Sequence, residues 1–397
     1  MNLQDVRDKL RSEGIVRDEP GQFYTKWLRG RPYACGPEGV KTSTWFMEVS
    51  EEERLAQAEM WLTETGSVAK ALYRDISKPD GGKRGIASFD RSYQAACYAV
   101  AEVVGPVISS VYTDAVVGFR DEYRLADTLI EMMTKSREEF PLLVVADIYH
   151  FFDELDLTHL DRAIDGLEDL EPDLRAWLKL HARTELVDQD GKVVSPSTRR
   201  MGVAQGSVLA PLLANLYLLP FDRQLKKCMG PGVYRRYADN LGVLVRTTQN
   251  TKGVEKAITE ELSRVRLSVK EGSLRVCDVE NAMNPCRLLG VAWTKHKAWA
   301  DVAYLEKKAS QLKADIHVAR RNVDSVLEYL KGLERYYESV LSEEEAGRAV
   351  FAKRCAWRGR TPPALRATVC GRGWRGRVQR RNEPAIRLWC VAAEERP

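Results

Sequence analysis

The sequence contains no C-x-x-C pair. Its eight cysteines (Cys35, Cys97, Cys228, Cys277, Cys286, Cys355, Cys370 and Cys390) are scattered over 397 residues. They read as reduced thiols, not as zinc ligands or a disulfide frame. Only five histidines accompany them, so a His/Cys metal site lacks the ligand spacing it needs. No run approaches the ~18 consecutive apolar residues of a membrane span. The opening "MNLQDVRDKLRSEG" lacks the apolar centre of a signal peptide. A cytoplasmic protein with no membrane contact is expected. There is no internal repeat and no low-complexity block, and a net charge of +4 is too small to mark a nucleic-acid binder by itself.

What is present is a globular composition, 44% hydrophobic and 30% charged, in a chain long enough for two or three subdomains. The charge is unevenly placed. From Phe351 to Pro397 there are 12 Lys/Arg against 3 Asp/Glu, interleaved with Trp357, Trp374 and Trp389. Such a segment suits phosphate contact with stacking on bases; a solvated terminal stretch is the equal alternative.

The first 75 residues are helical in pattern, and "SEEERLAQAEMWLTE" opens with a Ser50 cap and an acidic first turn. "SKPDGGKRGI" is a turn-rich loop, followed by the apolar helical stretch "SYQAACYAVAEVVGPVISSVYT". The texture changes at "PLLVVADIYHFF", where Leu142 to Ala146 suit a strand buried on both faces. "VYRRYADNLGVLVRT" reads as two short strands joined at Ala238-Asp239-Asn240-Leu241, and "CRLLGVAW" as one further strand. After Ala300, steps of three and four through Ile316, Ala319, Val323, Val326, Leu330, Leu333, Tyr337 and Val340 line a helical face, with a break at "NVDS".

Three segments carry chemistry together. Asp147 ends the buried strand, where an ionised carboxylate is costly unless a cation compensates it. Asp239 sits in the hairpin turn, 92 residues later. Convergent carboxylates at strand ends suit Mg2+, a hard ion that takes oxygen ligands. Two such ions ~3.5–4 Å apart would activate a primer hydroxyl and stabilise leaving pyrophosphate. The third segment, "MGVAQGSVLAPLLANLYLLPFD", offers Gly202, Gln205 and Gly206 in a loop that a nucleotide can approach closely. Phe152 lies at an odd offset from Asp147, so the chain must turn after Ile148 if both reach one site.

These motifs resemble those of the reverse transcriptases, specifically the group II intron-like bacterial branch. "VVADIYHFFDEL" matches the motif of the first catalytic aspartate. "GVAQGSVLAPLLANLYL" matches G-x-x-Q-G-x-x-L-S-P-L-L-A-N-I-Y-L, departing mainly by Ala204 where the family has Pro and by Ala210 in place of Ser. "RRYADNLGVL" matches R-Y-A-D-D except at Asn240, while "KPDGGKRGI" and "VVGFRDEYRLADTL" resemble fingers motifs. "RLLGVAW" looks like the strand near the primer.

The resemblance implies an α+β right-hand polymerase with fingers, an antiparallel-sheet palm, a helical thumb and a basic C-terminal segment. Its parts fall at 1–75 (N-terminal helices), 76–297 (fingers and palm), 298–345 (thumb) and 346–397 (basic segment). Asp147 and Asp239 would hold two Mg2+ (or Mn2+) ions with the Ile148 carbonyl, and Asn240 would complete the catalytic turn. Lys83 and Arg84 would clamp the triphosphate, and Phe152 would exclude a 2′-hydroxyl. Gln205 and Gly206 would border the nucleotide. Lys270 is the nearest candidate for a lysine beside the triphosphate, although the family register puts that lysine where Glu271 stands. Arg120, Tyr237 and Gly290 would meet nucleic acid, with an ordinary salt bridge the equal alternative for Arg120. The implied partners are an RNA template, dNTPs and a DNA product. Little chain follows the thumb, so no RNase H or endonuclease domain is expected. Stand-alone enzymes of this branch include lineages that serve antiviral defence with a noncoding RNA. Asn240 opens a second reading, a non-catalytic RNA-binding scaffold. The retained Asp147, Asp239, Phe152, Arg84, Gln205 and Gly206 favour an active polymerase.

Overall fold

A computed structural model describes residues 1–12, 37, 39, 42–63, 68–77, 83–120, 122–301, 303–305, 332–333 and 335–341. The chain divides into two compact units, Met1–Asn284 and Pro285–Pro397.

The first unit opens with α1 (Leu3–Ser12), α2 (Thr42–Glu48) and α3 (Glu51–Glu59). Ser50 caps α3 as expected: its Oγ accepts from Glu53 N at 3.2 Å, and Glu51, Glu52 and Glu53 sit at the positive end of the helix dipole. Next come β1 (Lys70–Ser77) and β2 (Lys83–Phe89), paired antiparallel from Ala71–Phe89 to Ser77–Lys83. The expected boundary after residue 75 therefore falls within β1. The apolar stretch forms α4 (Arg91–Ser110), and α5 (Leu125–Glu138) leads to β3 (Leu142–Asp147). Then follow α6 (Leu157–Asp165), α7 (Pro172–Ala182), β4 (Glu185–Val187) and β5 (Val193–Ser195). After Gly206 come two helices, α8 (Ala210–Tyr217) and α9 (Leu219–Cys228), meeting at Leu218. The unit closes with β6 (Val233–Tyr237), β7 (Asn240–Val245), α10 (Thr248–Arg264) and β8 (Arg275–Asp278).

Its two sheets run β2-β1-β4-β5 and β6-β7-β3-β8. Pairing is antiparallel throughout except between β1 and β4, so the fold is mixed α/β with mainly antiparallel sheets. β3 lies inside its sheet, and Leu143, Val144, Val145 and Ala146 are all buried. That two-sided burial explains an unbroken apolar run where an amphipathic strand would alternate. One continuous core joins α1, α3, α4, α6–α9 and the β3 sheet.

The second unit contains β9 (Cys286–Leu288), β10 (Val291–Trp293) and β11 (Ala298–Ala300), an antiparallel meander. "CRLLGVAW" is thus a hairpin and not the single strand expected. Leu289 (φ 50°) and Gly290 (φ 87°) both take left-handed backbone, the pattern of a two-residue type I′ turn. A leucine at such a position hides the turn in the sequence. Of the stripe expected between Ile316 and Val340, Tyr337 and Val340 are buried. Most of that stripe, the "NVDS" break and the whole basic segment 346–397 lie outside the described residues.

Candidate active site

The β3–β7 ladder sets Asp147 directly opposite Asn240. Because β6 and β7 are joined by Ala238-Asp239 alone, Asp239 lands at the same sheet edge. Its main-chain carbonyl accepts from Ile148 N at 2.9 Å, which stitches the turn to the end of β3. On the other side, Lys270 N donates to Asp147 O at 2.8 Å and Tyr149 N to Ser268 O at 2.9 Å. Ser273, not foreseen from sequence, locks this corner: its Oγ accepts from Asp147 N at 3.0 Å and donates to Lys270 O at 2.7 Å. The chain turns immediately after Ile148, as the Asp147–Phe152 offset requires.

Burial pushes the Asp239 carboxyl above the usual carboxylate range, and the Asp147 charge pushes it further; Arg84 and Lys270 act in the opposite direction. Two carboxylates and two cations from four separate segments therefore share one field. Asn240 Nδ2 donates to Asp239 Oδ1 at 3.1 Å. The residue that departs from the family motif thus places a neutral donor, not a third negative charge, beside the buried carboxylate.

Among the described residues, no cluster of three or more His, Cys, Asp or Glu side chains is placed to hold a metal. The donors gathered here are instead two carboxylates, the Asn240 amide and one main-chain carbonyl. Among the described residues no donor reaches the Ile148 carbonyl, and the Asp147 carboxylate makes no hydrogen bond or ion pair. Repelling carboxylates beside an unclaimed carbonyl fit a hard divalent cation.

The Gln205-Gly206 loop reaches this edge through backbone pairing. Val203 N donates to Phe152 O and Gly202 N to Leu155 O, both at 2.9 Å. On its other side the loop docks on β2, the strand of Arg84, with Ala87 N donating to Gln205 O at 2.7 Å. Gly206 has φ 131°, and a Cβ there would lie 2.1 Å from Ala87 O. The glycine is needed for this contact between backbones. Phe152 is half-buried with its ring 5.0 Å from that of Phe151. Gln205 Nε2 lies 3.5 Å from Asp153 Oδ1.

Behind the loop sits a buried cluster with no prior sequence signal. His181 Nε2 meets Ser207 Oγ at 2.8 Å, and its Nδ1 meets the Tyr93 hydroxyl at 2.7 Å. The ring stacks parallel to Trp177, with centroids 5.5 Å apart. Burial pushes the imidazole pKa down to about 3, so the ring is neutral at working pH.

The remaining expected contacts separate. Arg84 is exposed and unpaired among the described residues, whereas Lys83 lies 3.2 Å from Asp75 across the hairpin. Tyr237 directly precedes the turn, half-buried and 5.6 Å from the Phe119 ring. Arg120 lies between Tyr112 and Tyr123, and its Nη1 donates to the Thr113 and Val116 carbonyls at 3.2 and 3.3 Å. With a side chain only 11% exposed, it holds its own loop together. Gly290 is enclosed within the second unit: a Cβ would come within 2.6 Å of the Tyr304 ring, and its carbonyl accepts from the Tyr337 hydroxyl at 3.1 Å.

Comparison with curated proteins finds no match. The family model described as reverse transcriptase (RNA-dependent DNA polymerase) matches residues 76–292, more than half of the chain and the whole of the site just described. The chain belongs to the reverse transcriptase family, and it is an RNA-directed DNA polymerase, a nucleotidyltransferase.

Proposed function

We propose that the protein extends a primer 3′-hydroxyl with dNTPs at the edge where β3 meets the β6–β7 turn. The carrying observation is the juxtaposition of Asp147 and Asp239 by the β3–β7 register and the Ile148–Asp239 bond. Asp147, Asp239 and the Ile148 carbonyl would hold two Mg2+ or Mn2+ ions. When bound, these would acidify the primer hydroxyl and neutralise the leaving pyrophosphate. Arg84 supplies a planar cation suited to bidentate phosphate contact. Lys270 adds a second charge from the other side, and Lys83 a third once released from Asp75. Phe152 would exclude a ribose 2′-hydroxyl, which favours dNTPs. Gln205 and Gly206 border the base, and Tyr237 supports the primer terminus.

On this reading β1 and β2 belong to the fingers, the β6-β7-β3-β8 sheet is the palm, and residues 298–345 form the thumb. Membership of the group II-like bacterial branch rests on the motifs "GVAQGSVLAPLLANLYL" and "RRYADN". The 12 Lys/Arg between Phe351 and Pro397 support a structured noncoding RNA as the bound template, and a cytoplasmic role in antiviral defence follows by analogy with that branch.

The test is primer extension by purified protein with copurifying RNA and labelled dNTPs, beside Asp239→Ala. Incorporation should require Mg2+ or Mn2+ and fall at least ~100-fold in the variant. Equal incorporation by the two proteins would remove Asp239 from the site. Sequencing the copurified RNA identifies the template.

A further inference from the structure

Arg236 is completely buried on the strand that feeds the catalytic turn. Alternation along β6 sends Tyr234 and Arg236 to one face and leaves Arg235 and Tyr237 on the other. On the buried face the Arg236 Nε and Nη2 grip Asp222 of α9, at 2.8 Å to Oδ1 and 2.6 Å to Oδ2, and Asp222 is itself fully buried. The Tyr234 hydroxyl donates to the same Asp222 Oδ1 at 2.6 Å. The remaining arm, Nη1, donates to Asn215 Oδ1 of α8 at 2.8 Å and to the Ala238 carbonyl at 3.1 Å. Asn215 Nδ2 continues to the Gly118 carbonyl at 2.9 Å.

The Arg236 main chain holds the same loop. Its N–H donates to Ala115 O at 2.7 Å, and its carbonyl accepts from Val117 N at 3.0 Å and Gly118 N at 3.3 Å. One residue therefore fastens three separate segments: the helices after the Gln205-Gly206 loop, the 115–118 loop, and the residue before Asp239.

A buried ion pair is a poor way to gain stability, because desolvation offsets most of the attraction. Its geometry answers a local need instead. Ala238 has φ 54°, while Asp239 is not left-handed. Positive φ at the first turn residue alone is the type II′ pattern, where glycine is the usual occupant. An alanine persists there only if its surroundings hold it. Among the described residues Arg236 Nη1 is the one donor that reaches the Ala238 carbonyl. Gly118 closes the other side, since a Cβ there would lie 2.8 Å from Ala238 N.

We infer that Arg236, braced by Asp222, Asn215 and Tyr234, is the positioning residue of the metal-binding turn, holding Ala238 left-handed so that the Asp239 carboxylate faces Asp147. The inference rests on the metal site proposed above, and its test separates the two. Mn2+ binding is read from the electron paramagnetic resonance of the free ion, without nucleotide or primer, for wild type, Asp239→Ala, Arg236→Lys and Tyr234→Phe. Melting temperatures are taken alongside.

Binding lost in Asp239→Ala defines the turn site. Arg236→Lys keeps the charge but not the planar fork, and should weaken that site about tenfold in the folded protein. Tyr234→Phe removes one hydroxyl from the brace, keeps the core filled, and should weaken it about threefold. The Mg2+ concentration for half-maximal primer extension should rise by the same factors. A merely structural role would lower melting temperature and leave the affinity of folded protein unchanged. Site affinities within twofold of wild type in the folded variants would overturn the inference while leaving the metal site standing. If Arg236→Lys does not fold, Tyr234→Phe decides alone. Equal Mn2+ binding by wild type and Asp239→Ala would overturn the metal reading, and the inference with it.

Discussion

At the scale of the residue, Asn240 changes the electrostatics of the turn without removing either carboxylate. The raised pKa of Asp239 has a definite consequence for stability. A carboxyl raised above its unfolded value contributes stability at low pH, which is lost as pH rises through the folded value. Mg2+ should therefore stabilise the fold more above that folded value than below it, and Asp239→Asn should abolish that difference in thermal melts. Asn240→Asp exchanges the donor to Asp239 for a third negative charge. We expect it to cost about 1–2 kcal/mol of metal-free stability at pH 8, recovered in millimolar Mg2+, with primer extension preserved or raised. Unchanged melting without metal would show that the Asn240–Asp239 bond carries no weight.

At the scale of the element, the Gln205-Gly206 loop is a joint between β2 and the turn after β3. Gly206→Ala would drive a methyl group into the Ala87 carbonyl and force a left-handed alanine. A loss of about 1–3 kcal/mol in urea unfolding is expected, with a raised KM for dNTPs because Arg84 shifts with β2. The same loop is pinned from behind by His181. A histidine depressed to about 3 in the folded state, against roughly 6.5 when unfolded, contributes stability in full above pH 6.5. That contribution is lost as pH falls toward 3, at up to about 1.4 kcal/mol per pH unit. Urea midpoints at pH 4, 5, 6 and 7 should show this slope, and His181→Gln should flatten it. An equal slope in the variant would assign the acid sensitivity to other groups.

At the scale of the whole molecule, charge is nearly balanced overall yet concentrated beyond Phe351. Replacing Arg372, Arg375, Arg377, Arg380 and Arg381 with glutamine should weaken RNA binding and flatten its salt dependence by about four units of log–log slope, in filter binding between 50 and 300 mM salt. An unchanged slope would make the segment a solvated terminus. The two compact units divide at Asn284 and Pro285, a boundary that falls inside the expected fingers-and-palm range 76–297. Local pattern does not reveal it, because "CRLLGVAW" resembles one more strand of the preceding sheet until its type I′ turn is known.

Several features were legible in the sequence because they depend on near neighbours. Ser50 caps its helix through a bond three residues away, β3 is an uninterrupted apolar run, and the Asp147 and "YADN" motifs are contiguous. What only the tertiary structure decided is which distant groups meet. Arg84, Lys270 and Asp147 act on Asp239 from three other segments, and Arg236 reaches Ala238 by way of a turn. His181, Ser273 and Asp222 carry no motif at all. The carboxylates announce themselves because each stands in a contiguous motif. The groups that aim them do not, because an arginine, a serine or a histidine becomes a brace only through burial and through the partner that folding brings to it.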